Sequence, residues 1–70
     1  MMRTMQVKIE QEVEGRFIAE VPTIPGALVY GQTAHEAIQK VEALALRILA
    51  DRLEAGEDTA ELADVFTVST

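Results

Sequence analysis

The sequence predicts a small α+β domain in which an antiparallel sheet carries one long helix on one face. Apolar residues alternate in runs near the N-terminus, an uninterrupted helical pattern follows, and another alternating run lies near the C-terminus. Alternation is typical of strands with one wet face, and a long apolar stripe at helical spacing is typical of a packed helix. The expected order is β-β-β-α-β, in a single domain that spans residues 1–70.

The first two strands form a predicted β-hairpin. Apolar and polar residues alternate from Met5 to Val13, and the alternation resumes from Phe17 to Val21. Between these runs, Gly15 can adopt the positive φ that a hairpin turn requires. The sequence therefore predicts two antiparallel neighbours joined by a turn at Gly15.

Turn residues bound the predicted third strand. Pro22 ends the second strand because proline cannot donate to a ladder. Pro25 and Gly26 suit the two central positions of a type II turn. The apolar run at residues 27–30 then returns as the third strand, and Gly31 ends it.

Signals at both ends bound the helix, and a further strand is expected after it. Thr33 and Glu36 match the capping box, in which a hydroxyl and a carboxylate satisfy free amides of the first turn. Nothing breaks the pattern before Gly56, which suits a left-handed C-cap, so the helix is expected over residues 34–55. Apolar residues alternate again over Leu62–Val68, which predicts a fourth strand.

The apolar stripe of the helix is wider than a small sheet can cover. A helix on one face of a sheet needs a stripe slightly wider than about 100°, whereas this one covers roughly half of the circumference. We expect the excess to be buried in a homodimer or homotetramer, with Leu46, Leu49 and Leu53 as predicted interface residues; two singly exposed leucines are the alternative. The stripe comprises Ala37, Ile38, Val41, Leu44, Ala45, Ile48 and Leu49, and Leu46 and Leu53 extend it on one flank.

Composition excludes several kinds of site. The 70 residues include no cysteine and one histidine, so disulfides, iron–sulfur clusters and cysteine zinc sites are excluded and a transition-metal site is disfavoured. We expect no cofactor. The lack of cysteine fits a cytoplasmic protein, and no apolar run suits a membrane span or a signal peptide.

The charge favours a basic partner. Twelve acidic and six basic side chains give a net charge of −6, which disfavours direct binding to nucleic acid. The electrostatic field of this negative charge would speed association with a basic protein. Glu10, Glu12 and Glu20 are the predicted partner-binding residues.

An enzymatic alternative rests on few residues. The spacing of Glu10, Glu12 and Glu14 places them on one face of the first strand, where carboxylates can hold a divalent metal or share acid–base work. His35 could act as a base, but it lacks the partner that would orient it, and a solvated strand face explains the acids equally well. The sequence therefore predicts a non-enzymatic protein without a metal site.

The turn segment and its flanks resemble the HicB-like family, the antitoxin half of the HicA–HicB toxin–antitoxin systems. The family pattern is an aromatic and a small residue on a strand, a Pro-x-x-Pro-Gly turn, a short strand, and Gly-x-Thr-x-x-Glu-Ala opening a helix. The match covers residues 15–50, and we expect its residues to shape the backbone rather than to contact a partner. They are Gly15, Phe17, Ala19, Pro22, Pro25, Gly26, Gly31, Thr33, Glu36 and Ala37.

The resemblance implies a domain similar to a truncated ribonuclease-H-like fold, oligomeric and without catalysis of its own. HicB antitoxins bind the small, basic, RNA-cleaving HicA toxin and cover its active site, so a HicA-type toxin is the implied partner. Two departures matter. Ala27 stands where many relatives carry cysteine, and no DNA-binding domain is recognisable before Thr70, so operator binding is not expected. The alternative is an orphan homo-oligomeric scaffold that binds another protein or a small ligand.

Overall fold

Three antiparallel strands followed by one long helix form the protein in a computed structural model, which describes residues 4–62 and 65–69. The helix packs on one face of the sheet, and a 3-10 turn follows it. The predicted α+β class is confirmed. In chain order the elements are β1 (Lys8–Gln11), β2 (Phe17–Glu20), β3 (Leu28–Gly31), α1 (Ala34–Glu54) and the 3-10 turn (Ala60–Leu62), and the sheet order is β1-β2-β3.

The hairpin between β1 and β2 turns at Gly15, as predicted. The Gly15 amide donates to the Glu12 carbonyl at 2.9 Å, and the Glu12 amide donates to the Arg16 carbonyl at 2.7 Å. Gly15 has a φ of +98°, a conformation that glycine adopts readily. These features define a three-residue loop that a left-handed glycine closes.

β1 is shorter than the alternating run that predicted it. In the hairpin register, Gln6 would stand opposite Pro22, which has no amide to donate. The Val21 amide donates instead to the Ala27 carbonyl at 3.0 Å, on the β3 side. The residues from Met5 to Val7 therefore extend β1 without a ladder partner, although Met5 and Val7 still pack against the core.

Two consecutive turns connect β2 to β3. The Ile24 amide donates to the Val21 carbonyl at 3.0 Å, and the Ala27 amide donates to the Ile24 carbonyl at 3.1 Å. The second turn holds Pro25 and Gly26 at its centre, with Gly26 at a φ of +91°, so the predicted type II turn is confirmed. Ile24 points inward and is fully buried beneath the helix.

The cap of α1 forms with one shift from the expected pattern. The Thr33 hydroxyl accepts a hydrogen bond from the Glu36 amide at 3.0 Å. The Glu36 carboxylate accepts from the amide of Gln32 at 2.8 Å, one residue before the cap rather than from Thr33 itself. Lys40, one turn on, lies 3.5 Å from the same carboxylate. The helix start is therefore satisfied by its own local sequence.

The C-terminus of α1 is closed by a left-handed glycine. Gly56 has a φ of +78°, and its amide donates to the Leu53 carbonyl at 3.1 Å. The Glu57 amide donates to the Arg52 carbonyl at 2.9 Å. This pair of bonds is the Schellman arrangement, which ends the helix at Glu54 as the position of Gly56 predicts.

The helix meets the sheet along a row of every fourth residue. This row is fully buried, and it contacts residues of β2 and the connection between β2 and β3. Gly31, at the end of β3, lies directly under the first turn: a Cβ there would stand 2.6 Å from the Ala37 nitrogen. The buried core comprises Ala19, Val21, Ile24, Ala27, Ala37, Val41, Ala45 and Leu49.

The predicted fourth strand, Leu62–Val68, is wrong for the residues that the structure describes. Leu62 ends the 3-10 turn, its amide donating to the Thr59 carbonyl at 2.9 Å, and residues 65–69 contain no strand. Residues 63 and 64 lie outside the described residues. Alternation favours an extended chain, but a strand also needs a neighbour to complete its hydrogen bonds, and residues 65–69 pair with no other part of the chain that the structure describes.

We predict that Gly31→Ala destabilises the protein by about 1–3 kcal/mol, because the added methyl group collides with helix backbone that cannot rotate away. The free energy of unfolding in urea measures the loss. Gly56→Asn is the matched control, since nothing lies within 4 Å of a Cβ there and asparagine tolerates a left-handed backbone. Equal midpoints for Gly31→Ala and the wild type would show that the contact is not tight in solution.

We predict that the helix cap contributes to the stability of the fold and that this contribution is lost at acid pH. The hydrogen bond from the Gln32 amide, and next the charge of Lys40, lower the pKa of Glu36 below its ordinary value of 4.5. A carboxylate whose pKa is lower in the folded chain stabilises it fully above the ordinary value and loses that effect as pH falls through the lower one. Glu36→Gln keeps an acceptor but does not titrate. The difference in unfolding midpoint between the two proteins should therefore shrink below pH 4.5, and a constant difference would contradict the assignment.

Candidate protein-binding face

The face of the sheet opposite α1 carries no packed element among the described residues. Side chains alternate across a strand, so the neighbours of the buried Ala19 point away from the helix. The register places Glu10, Ile18 and Tyr30 in one row and Lys8, Glu20 and Leu28 in the next. We call these six residues the open face.

The centre of the open face is apolar. Ile18, on the middle strand, is half-buried, and Leu28 and Tyr30 on β3 are each 44% exposed. The guanidinium of Arg16 lies over the Tyr30 ring, 4.4 Å from its centroid, which fixes the ring by a cation–π contact. Water-facing sides of antiparallel sheets are commonly polar. On this face Ile18, Leu28 and Tyr30 adjoin one another, beside the charged Lys8, Glu10 and Glu20.

The predicted partner-binding acids lie at or near this surface. Glu10 and Glu20 are on the open face itself, at neighbouring rows. Glu12 lies at the base of the hairpin loop, where its carboxylate accepts a hydrogen bond from Arg16 at 3.0 Å, and both side chains are partly exposed. Glu10 and Glu20 therefore present their charge beside the apolar centre, with Lys8 opposite Glu20 on the same face, while the charge of Glu12 is matched by Arg16.

The predicted single-face row of Glu10, Glu12 and Glu14 is wrong. The strand ends at Gln11, and Glu14 lies in the turn that Gly15 closes. A two-residue period holds only while the chain stays extended, so it cannot align residues across a reversal. The three carboxylates do not share one strand face.

Sequence reasoning missed where the acidic surplus lies. Residues 1–33 hold four acids and three bases, Arg3, Lys8 and Arg16, so that region is nearly balanced. Glu57, Asp58 and Glu61 follow the helix with no basic residue between them. Counting charges by segment rather than over the whole chain would have found this cluster, which adds to the long-range field of the protein.

The cavities along the sheet do not suit a small ligand. A pocket on the open face, lined by Lys8, Glu10, Ile18, Glu20 and Leu28, encloses about 90 Å³, below the usual ligand range of about 300–1,000 Å³. A depression of about 530 Å³ lies beside the hairpin loop, but charged and mostly exposed side chains form its walls. Small-molecule sites are mainly apolar and enclose their ligand. A flat partner such as another protein fits this surface better.

Residues suggested for catalysis are not brought together. Within residues 4–62 and 65–69, no group of three or more histidine, cysteine or acidic side chains could hold a metal ion. His35 is exposed in the first turn of α1, apart from the acids of the hairpin.

The predicted oligomer residues separate into two groups. Leu46 and Leu53 are 57% and 50% exposed on the outer flank of α1, as the wide stripe indicates. Leu49 is 1% exposed and packs in the core of its own chain, so it has no surface to offer a second copy. The difference arises because Leu49 continues the row of every fourth residue that faces the sheet.

Comparison with models of protein families, with curated proteins and with solved structures found no significant match to this chain. The HicB-like resemblance therefore rests on the sequence motifs. In the part of the chain that the structure describes, no helix combines the length and the apolar character needed to cross a membrane.

We predict that titration with Mg²⁺ or Mn²⁺ in a calorimeter gives no saturable heat, because the acids of the hairpin do not converge and a closed coordination sphere needs more ligands than they supply. EDTA-treated protein serves as the starting material. Stoichiometric binding that Glu10→Gln abolishes would revive the enzymatic alternative.

Proposed function

We propose that this protein is a non-enzymatic, HicB-like antitoxin whose open face docks a small basic protein of the HicA type. The observation that carries the proposal is the open face itself, an apolar centre flanked by Glu10 and Glu20 on the side of the sheet that the helix leaves uncovered. The sequence motifs of the turn segment suggest the family, and the net charge of −6 suggests that the partner is positively charged.

The open face has the organisation of a protein interface. Such interfaces place aromatic and aliphatic side chains at the centre and polar groups at the rim. Leu28, Tyr30 and Ile18 form the centre, and exposed carboxylates lie beside them. Apolar side chains on a rigid sheet lose little entropy on binding, which favours them as anchors.

Charge guides the partner to this face. Exposed carboxylates at a rim mainly raise the association rate and make it depend on salt. Glu10 and Glu20 act at contact range, while the acidic run at residues 57–61 contributes to the field at longer range. A toxin that must bind RNA is basic, so an acidic antitoxin can cover its RNA-binding surface by the same electrostatics.

A second function is favoured by a different observation. Leu46 and Leu53 are exposed on the helix flank, away from the open face, which suits a homo-oligomeric scaffold whose ligand is not a toxin. The adjacent reading frame separates the two proposals. A small basic protein encoded there favours the antitoxin, and its absence favours the scaffold.

We predict that co-expression with the small basic protein encoded beside its gene restores growth and yields a complex that co-purifies. Glu10→Gln with Glu20→Gln should weaken binding by about three- to tenfold, mostly through the association rate, and should reduce its salt dependence. Leu28→Ser should weaken it by about tenfold or more, because it removes an apolar anchor from the centre.

The matched control is Asp51→Asn with Glu54→Gln, which removes the same charge from the exposed side of α1. This pair should leave the affinity nearly unchanged apart from a small field effect. Equal losses for both pairs would show that only net charge matters and would remove the open face as the docking surface. A neighbouring toxin that does not bind would remove the antitoxin proposal.

A further inference from the structure

A largely apolar groove lies between α1 and residues 5–7, which lead into β1. Its volume is about 270 Å³. Met5 and Val7 line it from the strand side, and Leu46 lines it from the helix, with 57% of its surface exposed. Val21 and Ala45 form its floor and are buried in the core, and Glu42, which is exposed on the helix, also lines it. The groove therefore exposes one side of the core, where α1 projects past the edge of the sheet.

β1 is also an edge strand. It pairs with β2 on one side, and no described strand pairs with its other side. An unprotected edge presents amides and carbonyls that can accept a further strand. Ile9, on the helix-facing side of β1, is 37% exposed, so the apolar surface continues along this edge. The groove and the edge together form a site for an extended apolar segment.

The chain itself contains such a segment. Residues 65–69 are exposed and form no ladder, although Phe66 and Val68 are large apolar side chains, 69% and 91% exposed. Residues two apart on an extended chain point to the same side, so Phe66 and Val68 would enter a groove together. Exposed apolar side chains in a row indicate a surface that another surface covers.

The segment starts near the groove but does not fill it. Ala60 and Glu61 lie against Thr4 and Met5 around one shared cavity, and Leu62 packs on the core. Beyond that point the Val65 amide donates back to the Leu62 carbonyl at 3.0 Å, and residues 66–69 form no helix or strand, while the chain as a whole is elongated. Its radius of gyration is 14.0 Å, against about 11 Å for a compact chain of this length. Its longest dimension is 53 Å, whereas α1 spans only about 31 Å.

We propose that residues 65–69 of one copy add to the β1 edge of a second copy and place Phe66 and Val68 in its groove. The exchange is reciprocal, so a two-fold symmetric dimer covers both exposed segments and both grooves at once. A second copy is the occupant because the same chain leaves both the apolar segment and the groove uncovered. The site lies at the edge and the helix flank, so it leaves the open face free and does not depend on the proposed basic partner.

The charge of the chain gives the dimer a distinctive salt response. Each copy carries a net charge of −6, so two copies repel each other, and added salt screens that repulsion. The dimer should tighten with salt, whereas a complex with a basic protein should weaken. The dimer and the complex with a basic protein can therefore be tested independently of each other.

Sedimentation equilibrium on the full chain tests the proposal. The wild type should sediment as a dimer at micromolar concentration and should tighten when NaCl rises from about 0.05 M to about 0.5 M. Phe66→Ser with Val68→Ser should raise the dissociation constant at least about tenfold. Because both side chains are exposed in the single chain, this variant should keep the thermal unfolding and circular dichroism of a folded monomer.

A pair of helix leucines supplies the matched comparison. Leu46→Ser alters the groove and should weaken the dimer, whereas Leu53→Ser removes an equally exposed leucine that does not line the groove and should leave it intact. Two results would overturn the proposal. One is a wild type that stays monomeric at about 100 μM, far above the dissociation constant of a specific complex. The other is a dimer that Leu53→Ser disrupts and Phe66→Ser with Val68→Ser does not, which would indicate helix-to-helix packing.

Discussion

The close contact between the end of β3 and the first turn of α1 sets the rest of the structure. Gly31 has no side chain, so the Ala37 backbone can lie close to it. A Cβ at Gly31 would stand 2.6 Å from the Ala37 nitrogen and would collide with it. The Thr33 cap then fixes where the helix begins, one short loop after the strand. Because the helix is anchored at this end, its buried row falls over β2 and the turn that carries Ile24. The tight crossing fixes the start of the helix over the end of β3, and the buried row fixes which face of the helix meets the sheet.

This placement divides the molecule into a covered and an uncovered side. A single helix can shield one face of a three-stranded sheet, and the other face keeps Ile18, Leu28 and Tyr30 beside carboxylates. A small domain buries a modest share of its surface, so apolar groups left outside are common. Here they are gathered on a rigid surface rather than scattered, which suits a binding protein with no chemistry of its own. The proposed antitoxin role needs nothing more than such a surface and an acidic field.

The length of the helix has a separate consequence. Each strand has four residues, about 13 Å of extended chain, whereas α1 has 21 residues and spans about 31 Å. The connection between β2 and β3 fills part of this difference, with Gly26 close to Ile48 in the second half of the helix. Leu46 and Leu53, on the outer flank, are covered by none of the described strands and remain exposed. The groove beside β1 follows from the same mismatch, and with it the opportunity for a second copy to complete the sheet.

Local signals in the sequence determined the turn at Gly15, the type II turn at Pro25 and Gly26, and both ends of the helix, because each depends on residues within a few positions of one another. Alternation predicted the first two strands, the short apolar run between turn residues predicted the third, and the helix stripe predicted the exposed flank of the helix. Tertiary structure decided the rest. It placed Leu49 in the core and Leu46 outside, since burial depends on where the sheet ends. It moved Glu14 into a turn and left residues 65–69 without a ladder, because a strand needs a neighbouring edge that alternation cannot supply. It also revealed that Gly31 is required by the helix above it, a contact that no local pattern encodes.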